Sequence, residues 1–160
     1  MSKFKLMLVA LAAGVFVAGQ VGVAKASDCG GGTVSPGLLT GNYTLSFQGI
    51  NDAANSPFAG SGSIHLDGKG NVIAGIINCN FSGTEYHSTI SGGCYSINSD
   101  GTGFMEIATT EDVVCGKAAD VNLQLAIVSG GRQFQFSSDA GTTTGTNRPF
   151  SGTANSWQQP

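Results

Sequence analysis

Segment 120–128 alternates without a break, Val121, Leu123, Leu125 and Ile127 against Asn122, Gln124 and Ala126. A period of two marks a strand with one buried and one wet face, because successive side chains leave a strand on opposite sides. The same alternation recurs down the chain, punctuated by Gly, Asn, Asp and Ser, and no segment past the leader has the period of an amphipathic helix. Eight strands are predicted, over 41–48, 58–66, 71–79, 88–97, 103–109, 120–128, 131–137 and 142–154. Segment 71–79 departs from alternation, since Val72, Ile73, Ile76 and Ile77 put apolar side chains on both faces. The N-terminal arm is expected to cover its outer side.

An internal echo says how the strands are joined. GSGSIHLDGKGNV from Gly60 and GCYSINSDGTGFM from Gly93 lie 33 residues apart and share Ser63/Ser96, Ile64/Ile97, Asp67/Asp100, Gly68/Gly101 and Gly70/Gly103. FQFSSDAGT, with Asp139, is a fainter third copy. Asp-Gly between alternating segments is a hairpin signal, because Gly takes positive φ without a Cβ clash. The second Gly of each copy suits a bulge or a longer loop. Eight strands joined this way make an all-β domain, and the favoured architecture is an eight-stranded antiparallel up-and-down barrel, whose closure removes exposed edges. A β-sandwich is the alternative.

These features, GNYTLSFQG … FAGSGSIHLDGKGNV … GCYSINSDGTGFM … GRQFQFSSDAGT, resemble a class of small exported bacterial β-barrels of unassigned function. The resemblance spans 41–154 and implies a shape similar to lipocalin- and avidin-like up-and-down barrels. Neither ligand chemistry carries over. The lipocalin Gly-x-Trp is replaced by Gly41-Asn42-Tyr43, and the only tryptophan, Trp157, falls in the tail, where no avidin-like stacking residue belongs.

The first 26 residues read as a signal peptide: Lys3 and Lys5, an apolar run, then the small-residue site Ala24-Lys25-Ala26. The run before Gln20 is too short for a membrane span, which takes about 20 residues. The expected organisation is signal 1–26, Gly-rich arm 27–40, barrel 41–154 and tail 155–160, in a secreted or periplasmic protein. Cleavage removes three of seven basic residues and none of ten acidic ones, leaving 134 residues with a net charge of −6. Such a chain has no basic stripe for nucleic acid and is repelled by anionic lipid. An outer-membrane barrel needs longer strands and aromatic girdles, which the scattered aromatics do not supply.

Four cysteines in an exported domain imply two disulfides. Cys79 with Cys94 is expected across a hairpin centred near Tyr86 and His87, leaving Cys29 with Cys115 to tie the arm to the loop before segment 120–128.

No motif builds a catalytic or metal site. The Asp-Gly turns supply too few oxygens for calcium. His65 falls on a solvent face, Glu85 and His87 make only two ligands, and Glu111 and Asp112 are neighbours that point apart. There is no GxSxG elbow. The expected function is therefore a non-enzymatic structural or interaction module without cofactor or metal, with a protein, a glycan or a second copy as partner. Self-association would add the arm to a strand edge. The Thr- and Asn-rich surface, as in GTTTGTN from Gly141, suits hydrogen bonding. The alternative is a carrier of a small apolar ligand. The residues that would face that ligand are Tyr43, Phe47, Tyr95, Met105, Leu123, Leu125, Phe134 and Phe136, with many Gly and Ser leaving room between them.

Overall fold

Alternating strands that bury one face against each other need a partner for that face, and here the sheet supplies its own by closing. The structure, a computed structural model, describes residue 29 and residues 38–51, 54–109, 121–138 and 149–157. The strands are β1 (Thr40–Asn51), β2 (Ser56–Asp67), β3 (Asn71–Phe81), β4 (Thr84–Ile97), β5 (Thr102–Thr109), β6 (Val121–Val128), β7 (Gln133–Ser138) and β8 (Phe150–Ser156). Each pairs antiparallel with the next, and β8 returns to β1 from Tyr43↔Ser156 to Gly49↔Phe150, closing an up-and-down barrel. Closure decides against the sandwich. Closure joins β8 to β1, so the sheet has no first or last strand.

β1 to β5 run longer than the alternation alone suggests, whereas β8 is described only from Phe150 and ends at Ser156, two residues past its expected end. β1 and β2 stay paired to Asn51↔Ser56, where the Asn51 side chain accepts a hydrogen bond from the Ala54 N–H at 3.3 Å. β7 starts later than expected, because Ser129–Gly131 folds into a tight 3-10 turn with Gly130 and Gly131 at φ 64° and 87°. In β4 the register against β5 shifts between Ile90 and Gly92, just before Gly93. This bulge flips the parity of the strand, so Ser88 and Ile90 face inward before it and Tyr95 and Ile97 after it. Gly93 is required there, since a Cβ would drive into the Glu106 carbonyl.

The two well-matched echo copies are the β2–β3 and β4–β5 hairpins, at the same end of the barrel. Asp67 Oδ1 accepts from the Lys69 and Asn71 N–H groups at 2.7 and 2.9 Å, and its Oδ2 accepts from Asn71 Nδ2 at 2.6 Å. Asp100 Oδ1 accepts from the Thr102 N–H and hydroxyl at 2.9 and 2.7 Å. The shared Asp-Gly thus folds turns, while the second glycines differ in use. Gly70 takes φ 99°, but Gly103 lies within β5, where a Cβ would strike the Ser96 carbonyl. Asp139 of the third copy lies outside the described residues.

That end is capped from within. Leu39, fully buried, closes the core just before β1. Its carbonyl accepts the Tyr95 hydroxyl at 2.7 Å, and the Gly131 carbonyl accepts the Tyr43 hydroxyl at 2.7 Å. The two interior tyrosines so place their polar tips on backbone that would otherwise be buried unpaired.

The disulfide pairing differs from expectation: Cys29 joins Cys94, with Cα atoms 5.9 Å apart. The β3–β4 turn lies at Ser82-Gly83, tighter and earlier than Tyr86-His87, so Cys79 faces Tyr86 and Cys94 faces Asn71. Cys79 and Cys94 are then separated by eight residues of strand, about 26 Å, where a disulfide needs Cα atoms within about 7 Å. Cys79 is also disulfide-bonded; Cys115, expected to pair with Cys29, lies outside the described residues.

Candidate functional site

All eight residues expected to face a ligand point into the barrel and are buried, from Met105 at 1% exposed to Phe136 at 6%. The space expected between them is taken. Beside Gly152 the position of a Cβ is occupied by the Phe136 Cζ at 2.6 Å and the Phe47 Cβ at 2.7 Å, and beside Gly75 by Ile90 Cδ1 at 2.8 Å. At Gly60 the Phe47 ring fills the same place. Glycines on the inner face therefore admit neighbouring side chains to the backbone instead of making a chamber. Tyr43, Phe134, Phe136, Phe150 and Phe47 form a chain of tilted and edge-on ring contacts, with centroids 5.3–6.4 Å apart. What remains is an apolar void of about 20 Å³ among residues such as Met105, Leu123 and Phe134. That is the room of about one water, with no polar partner to hold it.

The titratable groups outside the core serve local structure. Partial burial pushes the Asp67 carboxyl upward, but the Asn71 and Lys69 hydrogen bonds and the Lys69 charge outweigh it and hold the group below its ordinary range. Hydrogen bonds from Thr102 lower Asp100. His65 Nδ1 donates to Asn42 Oδ1 at 2.8 Å and His87 Nδ1 to Asn78 Oδ1 at 2.7 Å, each across a directly paired strand position. Glu85 does share an outer face with His87, 3.9 Å away, both well exposed. Among the described residues no third acidic, His or Cys side chain joins them. Glu111 and Asp112 lie outside the described residues.

Among the described residues two adjoining concave surfaces lie on the outside, and the larger, of about 960 Å³, is the more apolar, taking in Ile50, Pro57 and Pro149. The outer faces of β6, β7, β8, β1 and β2 form an open groove of about 750 Å³. Register builds it from two rows across the strands. One runs Gln124, Ser137, Ser151, Gln48 and Ala59, and the other Ala126, Gln135, Thr153, Ser46 and Ser61. Hydroxyl and primary-amide side chains share the lining evenly with apolar groups such as Ala59 and Ala126, and no charged residue lines the groove. Continued across β3 the rows end in Asn80 and Asn78, and charge first appears at Glu85 in β4. Polar outside and apolar inside is the reverse of what a lipid-facing barrel presents. Among the described residues no helix is long and apolar enough to cross a membrane. Ile73 and Ile76 are exposed on the outer face of β3, and the arm segment 30–37 expected to cover them lies outside the described residues.

The sequence reading missed this groove because each strand contributes only two outward residues, drawn from Ser, Thr, Gln and Ala, which look like ordinary solvent-facing positions. The available signal was the absence of charge from the outward positions of 46–48, 135–137 and 151–153 together.

No protein-family model and no curated protein matches the chain. Among solved structures it is similar to a de novo designed fluorescence-activating β-barrel, at 11% identity and a TM-score of 0.47, over 75% of this chain and 94% of that one. It is also similar to a redesigned β-barrel, mFAP1, bound to DFHBI, at 15% identity and a TM-score of 0.49, over 74% of this chain and 95% of that one. The chain is a closed eight-stranded antiparallel β-barrel that resembles these designed barrels.

Proposed function

We propose that this chain is an exported, non-enzymatic interaction module that meets its partner on the outer face of the barrel. The contrast between the filled interior and the open outer groove carries the reading. About 20 Å³ inside admits no organic ligand, whereas about 750 Å³ outside is open and lined by hydrogen-bonding groups. Export is supported by the leader at Lys3 to Ala26 and by the disulfide between Cys29 and Cys94, which suits an oxidising compartment. The carboxylates of Asp67 and Asp100 and the Nδ1 atoms of both histidines are committed to turn and cross-strand hydrogen bonds, which favours structure over catalysis for them. An interior carrier would require the ring chain from Tyr43 to Phe47 to part.

The test is retention of the purified, labelled protein on the exterior of intact cells that secrete it. Wild type and an interior variant, Met105→Leu, should be retained equally, while Ser137→Lys with Thr153→Lys should be lost. Equal retention of the double-lysine variant, with its thermal unfolding unchanged, would refute the groove as the contact surface.

A further inference from the structure

We infer that the groove binds a neutral, linear glycan, with the Trp157 indole as its stacking platform. This rests on the groove being the interaction surface. Trp157 is 60% exposed, an unusual state for the chain's single tryptophan. Its backbone N–H donates to the Asn42 carbonyl at 2.8 Å, which carries the β1–β8 ladder one step beyond Ser156. Alternation puts Ser151, Thr153, Asn155 and Trp157 in one outward file, with inward Ala154 fully buried between them. The file runs about 20 Å, from the middle of the groove to the indole. Beside it on β1 stand Gln48, Ser46, Thr44 and Asn42.

The chemistry of this strip selects its occupant. Hydroxyls and primary amides both donate and accept, as sugar hydroxyls do, so either orientation of a bond along a glycan is satisfied. A protein partner wants a desolvated centre of aromatic, Met or Arg anchors, and such interfaces are depleted in Ser. The outward side chains of the groove are Ser, Thr, Gln and Ala from five strands, with no aromatic, Met or Arg among them, and the exposed Trp157 stands two outward positions beyond Thr153 in the same file. The chain is acidic overall, yet the groove carries no charge. It therefore has nothing to pair with an acidic or basic polymer, and an uncharged ligand is not repelled. A pyranose ring presents axial C–H groups on one face, which lie against an indole while its equatorial hydroxyls reach the neighbouring rows.

The experiment is a titration of the mature, disulfide-bonded protein with neutral gluco-, xylo- and manno-hexasaccharides, followed by amide NMR shifts, with oligogalacturonate and a heparin hexasaccharide as charged controls. At least one neutral hexasaccharide should shift Ser46, Gln135, Thr153 and Trp157 together, and the charged ones should not. Trp157→Ala and Gln135→Ala should each weaken binding on the order of tenfold, the scale of one lost contact. Both sites are exposed, and unchanged thermal unfolding confirms that the barrel is intact. Binding unaffected by either substitution, or preference for the charged sugars, overturns the proposal. If no neutral hexasaccharide binds while cell retention still depends on Ser137 and Thr153, the glycan is wrong and the groove stands. If both fail, the interaction reading falls with it.

Discussion

Replacing Phe134 by alanine removes a ring that is 1% exposed, touches Tyr43 at 5.3 Å and Phe136 at 6.2 Å between centroids, and lines the small interior void. Losing the transfer of a phenyl ring costs about 2 kcal/mol. The barrel wall is hydrogen-bonded all round and cannot collapse freely, so a residual cavity on the order of 80 Å³ adds about 2 kcal/mol at about 24 cal/mol per Å³. The expected loss is thus about 4 kcal/mol, read as a lower midpoint in urea unfolding with the slope unchanged. Joined to the existing void, the new space approaches the size that binds benzene in an engineered apolar cavity. Benzene should therefore raise the midpoint of Phe134→Ala and leave wild type where it is. A loss under about 1 kcal/mol, or stabilisation of wild type by benzene, would refute the packed-interior reasoning.

Four other outcomes follow from the same geometry. Tyr95→Phe should cost about 1–3 kcal/mol in chemical unfolding, because the Leu39 carbonyl, on a fully buried residue, loses its donor. Burial raises the Tyr43 and Tyr95 phenols, so the unfolded chain ionises first. Stability should fall as pH climbs past about 10, and less steeply in Tyr95→Phe. Asp67 is lowered, so its contribution is complete above the unfolded value near pH 4 and is lost as pH falls through the folded one; Asp67→Asn should flatten that acid limb. Removing both Cys29 and Cys94 opens a link across 65 residues and should cost about 4 kcal/mol by the loop-entropy relation, while peptide mapping of wild type recovers Cys29 joined to Cys94.

The strands were legible because their signal is local. Val121, Leu123 and Leu125 face inward as their alternation says, and the Asp67 and Asp100 turns sit where Asp-Gly puts them. What the sequence hid depends on register. Whether Cys94 faces Cys79 or Asn71 turns on a hairpin shifted by a few residues, and Tyr86-His87 carried no stronger turn signal than Ser82-Gly83. The parity flip at Gly92-Gly93 needs the β5 partner to be visible. The inner glycines misled for a physical reason: a missing Cβ reads as space, but across a closed sheet the ring of Phe47 or Phe136 takes it. The groove was least legible, since its rows join residues far apart in the chain, such as Gln48 beside Ser151.

The central claim, that this barrel is filled and works from its outside, is tested most directly by a high-resolution crystal structure of the disulfide-bonded protein. The interior should hold nothing beyond a single weak water peak near Met105 and Leu123, with Phe47, Phe134 and Phe136 in contact across it. Continuous density of an organic molecule inside the barrel, with those rings moved apart to admit it, would contradict the account.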